Sequence, residues 1–371
     1  MQIEYVRTPV GRAHAPGYFE RPVGIWLLVL AVMVFVMVLL GGLTRLTGSG
    51  LSMVEWQPFT VLPPLSDAAW AETFAKYQAT PQYRLVNQGM DLAAFKDIFW
   101  LEYVHRLWGR LIGAVFLLPL ALFVVTGRVG RRQLPRLLLL FLLGGAQGAL
   151  GWFMVASGLA DRPEVSHYRL AAHLLAALAI FGALVWMALD HLDPVQREGR
   201  TVRHPLERPL WALLALVVVT MTAGALVAGL HAGLVYNSFP LMNGAVLPSE
   251  AFDLSPVWTN FFENHALVQF DHRLLAILSW LTALSLWWRG RGGEPSRLRG
   301  RLALVALAAT GQASLGIATL LTSVPVTLAA LHQLGAFVLV TSVLWALHAV
   351  PRAVRDGASA ATVPGDQASS A

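Results

Sequence analysis

The chain has 371 residues, 56% of them hydrophobic and 13% charged, a composition that excludes a water-soluble domain of ordinary surface-to-volume ratio. Its net charge of +6 does not indicate nucleic-acid binding, because the basic residues lie in short loops between apolar runs. The sequence contains no cysteine, which excludes disulfides, thiolate ligands, iron–sulfur clusters and covalent haem attachment. Any metal or haem must therefore be held by His, Met or carboxylate side chains.

A polar tail, residues 1–23, precedes the first of eight apolar windows, each about 20 residues long and so able to cross a bilayer. The first window lacks an A-x-A-like end and is interpreted as an uncleaved span. We therefore predict an all-α integral membrane protein. Its eight transmembrane helices are predicted near 24–43, 103–125, 137–157, 168–189, 209–230, 267–288, 302–322 and 326–349.

The distribution of arginine predicts the orientation in the membrane. Arginine is frequent in the tail 1–23, in "TGRVGRRQLPR" (126–136) and in the linker 191–208, whereas the segments around Asp161 and Glu250 are poor in basic residues. Because an even number of spans returns the chain to its starting side, the positive-inside rule predicts that both termini are cytoplasmic. The protein is thus predicted to lie in the cell inner membrane, in contact with lipid.

Two segments outside the spans have distinctive compositions. The first external loop, roughly 44–102, mixes Pro, Trp, Asp and Lys and is predicted to be an ordered cap. The C-terminal tail, 351–371, is polar and rich in small residues and is predicted to be disordered.

The chain contains an internal repeat, which relates residues 24–190 to residues 209–350. Three pairs of segments carry it: "GGAQGALG" (144–151) with "ATGQASLG" (309–316), "EYVHRL" (102–107) with "QFDHRL" (269–274), and "RLAAHLLAALAIF" (169–181) with "TLAALHQLGAFVL" (327–339). Since each half holds an even number of spans, the halves share one orientation. We predict two tandem four-helix bundles related by a pseudo-two-fold axis along the membrane normal.

One histidine lies near the outer end of each even-numbered predicted helix: His105, His173, His272 and His332. A single such residue is usually just solvated, but four in register across a repeat indicate metal ligands. Zinc would need a compact tetrahedral set and copper would favour soft sulfur ligands, whereas two facing imidazoles in a four-helix bundle suit haem iron. We predict two haem sites side by side, His105 with His173 and His272 with His332.

Glycines and arginines near these histidines allow two interpretations each. The glycines either make room for a flat macrocycle or allow close helix packing. They are Gly109, Gly113, Gly144, Gly145, Gly148 and Gly151. Arg106 and Arg273 either pair with haem propionates or extend to the membrane surface.

The two predicted sites differ three residues before the first ligand, where one half has Glu102 and the other Gln269. The i, i+3 spacing places Glu102 on the same helix face as His105. Its carboxylate is predicted to reach over the rim of whatever His105 binds; the alternative is that it complements a helix N-terminus.

These residues resemble the haem A synthase family, in the form found in mitochondria and related bacteria. The resemblance rests on "GGLTRLTGSGLSMVEWQPFTVLPP" (41–64), "LEYVHRLWGR" (101–110), "AAHL" (171–174), "FDHRL" (270–274) and "LHQLGA" (331–336). It implies oxidation of the C8 methyl group of haem O to the formyl group of haem A, which haem–copper cytochrome oxidase requires. Some members carry an external cysteine pair, and this chain has none.

The resemblance also implies roles for the predicted site residues. A cofactor haem b would lie on His272 and His332, beside Arg273, and the substrate haem near His105 and His173. Beside it would lie Arg106 and the catalytic Glu102.

The implied partners are haem O, a haem O synthase, cytochrome oxidase assembly factors and an unidentified electron donor, and a homo-oligomer is compatible with them. Composition and spacing alone leave two alternatives open. One is a bis-His cytochrome b that only transfers electrons, and the other is a haem carrier.

Overall fold

A computed structural model of the protein describes residues 20–55, 62–158, 165–193, 201–202, 204–292, 294–350 and 353–354. The α-helices of this part are α1 (Arg21–Leu46), α2 (Asp67–Gln78), α3 (Pro81–Leu85), α4 (Leu92–Val125), α5 (Leu134–Gly158), α6 (His167–Leu192), α7 (Glu207–Gly229), α8 (Asn260–Glu263), α9 (His265–Arg289), α10 (Ser296–Leu321) and α11 (Val326–Ala349). Short 3₁₀ helices occupy Ser49–Leu51, Ala232–Leu234, Ser249–Phe252 and Val257–Thr259, and two strands, β1 (Thr201–Val202) and β2 (Ala353–Val354), pair antiparallel.

Seven of these helices are long and apolar enough to cross a membrane, which makes the protein a multi-pass membrane protein. They are α1, α4, α5, α6, α7, α10 and α11. The eighth predicted span corresponds to α9, which has 25 residues but carries Asp271, His272 and Arg273 near its start. These polar side chains lower its hydropathy, so α9 does not meet the same criterion.

Helix α4 begins at Leu92, eleven residues before its predicted start. The Asp91 side chain caps it by accepting a hydrogen bond from the backbone N–H of Ala94 at 2.8 Å. The added turns are amphipathic, and their buried residues Phe95 and Phe99 pack into the external loop. The apolar window thus located the membrane-facing part of the helix but not its capped start.

The segment predicted to be an ordered cap contains α2, α3 and the first turns of α4. Buried aromatic side chains form its core: Trp70, Tyr77, Phe95, Phe99 and Tyr103. The rings of Trp70 and Phe99 meet edge to face with their centroids 4.9 Å apart. The Tyr77 hydroxyl accepts a hydrogen bond from Asn87 at 2.7 Å, and burial raises the pKa of this phenol. The cap packs directly on the N-terminal turns of α4.

The long helices pack as two rings of four. In the first ring, α1 and α5 each contact both α4 and α6, and in the second, α7 and α10 each contact both α9 and α11. The two rings meet where α6 of the first ring contacts α11 of the second. Further contacts between the rings join α1 to α11 and α6 to α7. The edge-to-face pair of Phe181 and Phe337, 5.1 Å apart, lies in this central contact.

Polar side chains join the two rings at the end opposite the cap. Arg301 of α10 is buried and donates to Asp193, which follows α6, at 2.5 Å, and to the Trp345 carbonyl oxygen at 2.7 Å. His348 of α11 lies 3.1 Å from Asp190 of α6. The rings are therefore tied together by buried polar bonds as well as by apolar packing.

Some predictions fall on parts of the chain outside the described residues. These are the tail up to residue 19, residues 56–61 of the predicted cap, the segment around Asp161, residues 194–200 and 203 of the linker and, apart from 353–354, the tail 351–371.

Candidate functional site

The four predicted histidines lie on α4, α6, α9 and α11, and each imidazole packs against a glycine of a neighbouring helix. A methyl group on that glycine would approach the ring to between 2.8 and 3.3 Å, closer than side chains normally pack. The pairs are Gly41 with His105, Gly151 with His173, Gly224 with His272, and Gly316 with His332. The glycines come from α1, α5, α7 and α10, so the same arrangement recurs in both rings.

In the second ring, the imidazoles of His272 and His332 face each other. Their ring centroids are 6.4 Å apart and their planes are nearly perpendicular, at 84°. His272 Nδ1 lies 3.0 Å from the carbonyl oxygen of Thr220. Because a carbonyl only accepts hydrogen bonds, Nδ1 must carry the proton, which leaves the Nε2 lone pair as the free ligand atom.

This geometry fits a bis-His haem. An imidazole nitrogen binds a metal at about 2.0 Å and lies about 1.1 Å from its ring centre, so the centres of two rings that bind one ion are at most about 6 Å apart. The separation of His272 and His332 agrees with this value. Within the described residues, no group of three or more His, Asp and Glu side chains is placed to hold a metal ion.

A glutamine holds the backbone of one histidine in each ring. Gln147 of α5 donates from Nε2 to the carbonyl oxygen of His173 at 2.8 Å, and Gln312 of α10 donates to the carbonyl oxygen of His332 at 2.9 Å. The repeat alignment paired these glutamines but assigned them no role. Each one fixes the helix turn that carries a candidate ligand.

Glu102 is 2% exposed, and its carboxylate joins helix α4 to the start of the cap. Its Oε2 accepts hydrogen bonds from Ser52 Oγ and the Met53 N–H, both at 2.7 Å, and its Oε1 lies 2.5 Å from Arg106 Nη2. The alternative in which Glu102 complements a helix N-terminus is wrong, because α4 begins ten residues earlier, at Leu92.

The second ring contains an amide in the equivalent network. Gln269 donates to the carbonyl oxygens of Ala232 at 3.0 Å and Tyr236 at 3.3 Å, and its own oxygen accepts from Arg273 at 3.2 Å. The ion pair of Glu102 with Arg106 in one ring is thus replaced in the other by hydrogen bonds of an uncharged amide, one of them from the Arg273 guanidinium. The sequence difference between Glu102 and Gln269 therefore corresponds to two chemically different pockets.

Arg106 and Arg273 bind loop carbonyls, which neither interpretation of these residues included. Arg106 donates to Met53 O at 2.7 Å and Glu55 O at 2.8 Å, and Arg273 donates to Tyr236 O at 2.8 Å and Ser238 O at 2.9 Å. Each guanidinium therefore ties a loop of its own ring to the helix that carries one of the histidines.

The glycines named from the sequence divide into two groups. Gly151 lies against His173, and a methyl group on Gly109 would lie 3.2 Å from Met37, as expected for close packing. A methyl group would meet no atom within 4 Å at the remaining four: Gly113, Gly144, Gly145 and Gly148. Sequence reasoning missed Gly41, Gly224 and Gly316, although their small-residue runs recur in both halves.

The comparisons with known proteins agree with these features. The family described as "COX15-CtaA: Cytochrome oxidase assembly protein" matches residues 24–344. The chain belongs to this family. The resemblance seen in the sequence motifs is therefore confirmed.

Members of the COX15-CtaA family resemble the chain over nearly their whole length. The protein named "Heme A synthase" in Paramagnetospirillum magneticum is 50% identical over 349 residues, 93% of this chain and 98% of its own. The protein of the same name in Rhodospirillum centenum is 50% identical over 347 residues, 92% and 91% of the two chains. That of Nitrosospira multiformis is 48% identical over 340 residues, 90% and 94%.

Proposed function

We propose that this protein is a haem A synthase, an oxidoreductase that converts the C8 methyl group of haem O to the formyl group of haem A for cytochrome oxidase. Three relatives of about 50% identity carry that name. The observation that carries the proposal is that one chain holds two copies of a glycine-backed histidine arrangement, which differ three residues before the first histidine: one copy has the buried carboxylate of Glu102 and the other the amide of Gln269. Two unlike haem sites suit a reaction with one cofactor haem and one substrate haem.

The second ring is proposed to hold the cofactor, haem b, through His272 and His332. The support is their 6.4 Å ring separation and the bond from His272 Nδ1 to Thr220. Arg273 Nε is a buried donor without a hydrogen-bond partner among the described residues, as expected beside a propionate. When bound, haem b supplies one-electron redox chemistry.

The first ring is proposed to bind haem O through His105 and His173, with Glu102 as the acid–base residue. A carboxylate has about four lone-pair directions, and the bonds from Ser52, Met53 and Arg106 occupy three of them. The remaining direction, on Oε1, would take the substrate proton. Arg106 positions this carboxylate and keeps the cap closed over the site, which limits access of water.

In the membrane, α9 is proposed to cross beside the seven apolar helices, because it packs against both α7 and α10. The two rings then form tandem four-helix bundles, residues 24–190 and 209–350, around a pseudo-two-fold axis along the membrane normal. With arginine-rich loops inside, the termini are cytoplasmic and the histidines lie toward the outer face of the inner membrane. A haem O synthase supplies the substrate, an electron donor drives turnover, and assembly factors or a second copy of the chain join on the membrane.

The test uses purified protein and membranes that contain it. Pigment extracted from the protein is identified by mass, and membranes are supplied with haem O, dioxygen as the oxidant and a reductant. We expect haem b together with haem O, a hydroxylated form or haem A, and formation of haem A with time.

Two alternatives give different results in the same test. Two permanently bound, chemically unaltered haems would support an electron-transfer cytochrome b. Exchangeable haem without turnover would support a carrier. Either result would contradict the proposal.

A further inference from the structure

A cleft of about 160 Å³ lies between α5 and α6 in the first ring. Its walls are apolar except for one amide, and they consist of Leu143, Ala146, Gln147, Leu150, Ala176, Ala179 and Ile180. The cleft borders the helix turn that carries His173, because its wall residue Gln147 donates a hydrogen bond to the His173 carbonyl oxygen at 2.8 Å. Ala176 also lies one helical turn after His173 on the same helix.

In the second ring, the corresponding helices α10 and α11 pack closely against each other. Gly335 stands three residues after His332, as Ala176 stands three residues after His173. A methyl group on Gly335 would meet the amide oxygen of Gln312 and would lie 3.5 Å from Leu315 Cδ1. The glycine therefore lets α10 and α11 approach closely, whereas the methyl group of Ala176 helps to hold α5 and α6 apart.

One polar atom gives the cleft a chemical preference. Gln147 Oε1 is buried and has no hydrogen-bond partner among the described residues. Gln312 Oε1 is also without a partner, but Gly335 covers it. An amide oxygen only accepts hydrogen bonds, so a ligand in the first ring should bring a hydroxyl donor next to an apolar chain.

We infer that this cleft binds the hydroxyethylfarnesyl substituent of haem O, an inference that rests on the proposed function. The substituent carries a hydroxyl group next to the ring, which suits Gln147 Oε1, followed by apolar isoprene units. An apolar cavity of about 150 Å³ binds benzene, so this cleft accommodates about one five-carbon isoprene unit. The remainder of the tail leaves between α5 and α6 toward the lipid. Haem b has a vinyl group at this position and gains nothing from the cleft.

The test fills the cleft from either wall, with Ala146→Leu on α5 and Ala179→Leu on α6. Ala149→Leu, an exposed position of α5 outside the cleft, is the matched control. Protein that retains its second-ring haem is titrated with haem O and with haem b, and the Soret difference spectrum is followed. We expect the affinity for haem O to fall about tenfold or more in both cleft variants, with unchanged affinity for haem b. Free farnesol should compete with haem O in the control and not in Ala179→Leu.

The second-ring haem spectrum reports folding, and Ala179→Val serves if Ala179→Leu fails to fold. Unchanged affinity for haem O in the folded variants would overturn the inference and would favour a bilayer acyl chain as the occupant. An equal loss of affinity for haem O and haem b would show that the substitutions act on the imidazoles, and it would also overturn the inference. Conversion of haem O by the unmodified protein is measured in parallel. Its absence would contradict the proposed function, whereas unchanged affinity in the variants would contradict only the cleft.

Discussion

The Nδ1 atom of His272 lies 3.0 Å from the carbonyl oxygen of Thr220, one helix away. This bond fixes both the tautomer and the rotation of the imidazole, and it directs Nε2 away from α7. His332 faces it from α11. His272 and His332 lie 60 positions apart in the sequence, and the 6.4 Å between their ring centroids is the basis for the proposal that they form a single ligand pair.

The first prediction follows from this pair. Replacement of His272 or His332 by Ala should abolish the low-spin haem spectrum of the purified protein, because one axial imidazole is lost. His265→Ala is the control, since His265 is exposed at the start of the same helix α9. A low-spin spectrum that persists in both site variants would refute the ligand assignment.

The second prediction concerns the glycine behind each imidazole. A methyl group on Gly316 would come within 2.8 Å of His332 Cε1, whereas on Gly311 of the same helix it would meet no atom within 4 Å. Gly316→Ala should therefore rotate the imidazole and shift the haem absorption and midpoint potential. Gly311→Ala should leave both unchanged and should stabilise the helix by up to about 1 kcal/mol. Indistinguishable spectra for the two variants would show that the glycine does not set the ligand orientation.

The third prediction separates the chemistry of Glu102 from its contacts. In Glu102→Gln an amide NH₂ must face one of three donors, Arg106, Ser52 or the Met53 N–H, so a hydrogen bond is lost. Formation of haem A should fall by about 10²–10⁴, the usual cost of losing an acid–base group, while the haem on His272 and His332 remains. Turnover is measured in membranes supplied with haem O and reductant.

Ser52→Ala is the control for this experiment. It removes one bond to the carboxylate but keeps the charge, at a cost of about 1 kcal/mol in stability. Its turnover should stay close to the parental rate. Equal losses in both variants would show that Glu102 acts only as an anchor for the cap.

Several of these residues were predictable from the sequence, and others were not. The four histidines and the contrast between Glu102 and Gln269 follow from the repeat, because a duplicated segment keeps its register. The partners of Glu102 were not predictable, since Ser52 and Met53 lie about 50 residues earlier in a loop that has no periodicity. The glycines of α1 and α7 were missed for a related reason. A helix pattern shows which residues share a face but not which neighbouring helix that face contacts.

The fourth prediction concerns the polar contact between the rings. Arg301 is 6% exposed, and its removal would leave Asp193 without one of its partners. Arg301→Ala should lower the free energy of unfolding by about 3 kcal/mol, the lower end for a buried pair, because Asp193 is partly exposed. Arg299→Ala, at an exposed position of the same helix, should change it by about 0.5 kcal/mol or less. Thermal unfolding in detergent compares them, and equal melting temperatures would contradict the prediction.

The fifth prediction concerns pH and the external loop of the second ring. The Tyr236 hydroxyl donates to the Glu250 carboxylate. This bond lowers the pKa of Glu250 below its ordinary value of 4.5, while burial, followed by the bond, raises the pKa of Tyr236 to about 12. The lowered carboxyl pKa stabilises the loop above about pH 4.5, and that contribution is lost as the pH falls through the folded pKa. The raised phenol pKa stabilises it below about pH 10, and that contribution is lost as the pH rises through about 12.

Amide hydrogen exchange of residues 236–252 should therefore be constant between about pH 5 and 9, once corrected for intrinsic rates, and should increase in acid. Tyr236→Phe removes the bond and should abolish the acid-dependent change. An identical acid response in this variant would assign the effect to other groups.

The contact between the rings has a further consequence. If the two halves of the chain exchanged places, the same pairs of helices would touch. The contact of α1 with α11 corresponds to that of α7 with α6, and α6 against α11 corresponds to itself. A separate four-helix protein with this surface would pair isologously as a two-fold dimer. If the two halves were separate proteins, each could also pair with a copy of itself. Both members of such a dimer would then carry the carboxylate, or both would carry the amide. Covalent fusion excludes those homodimers within one molecule, so that every molecule contains one of each.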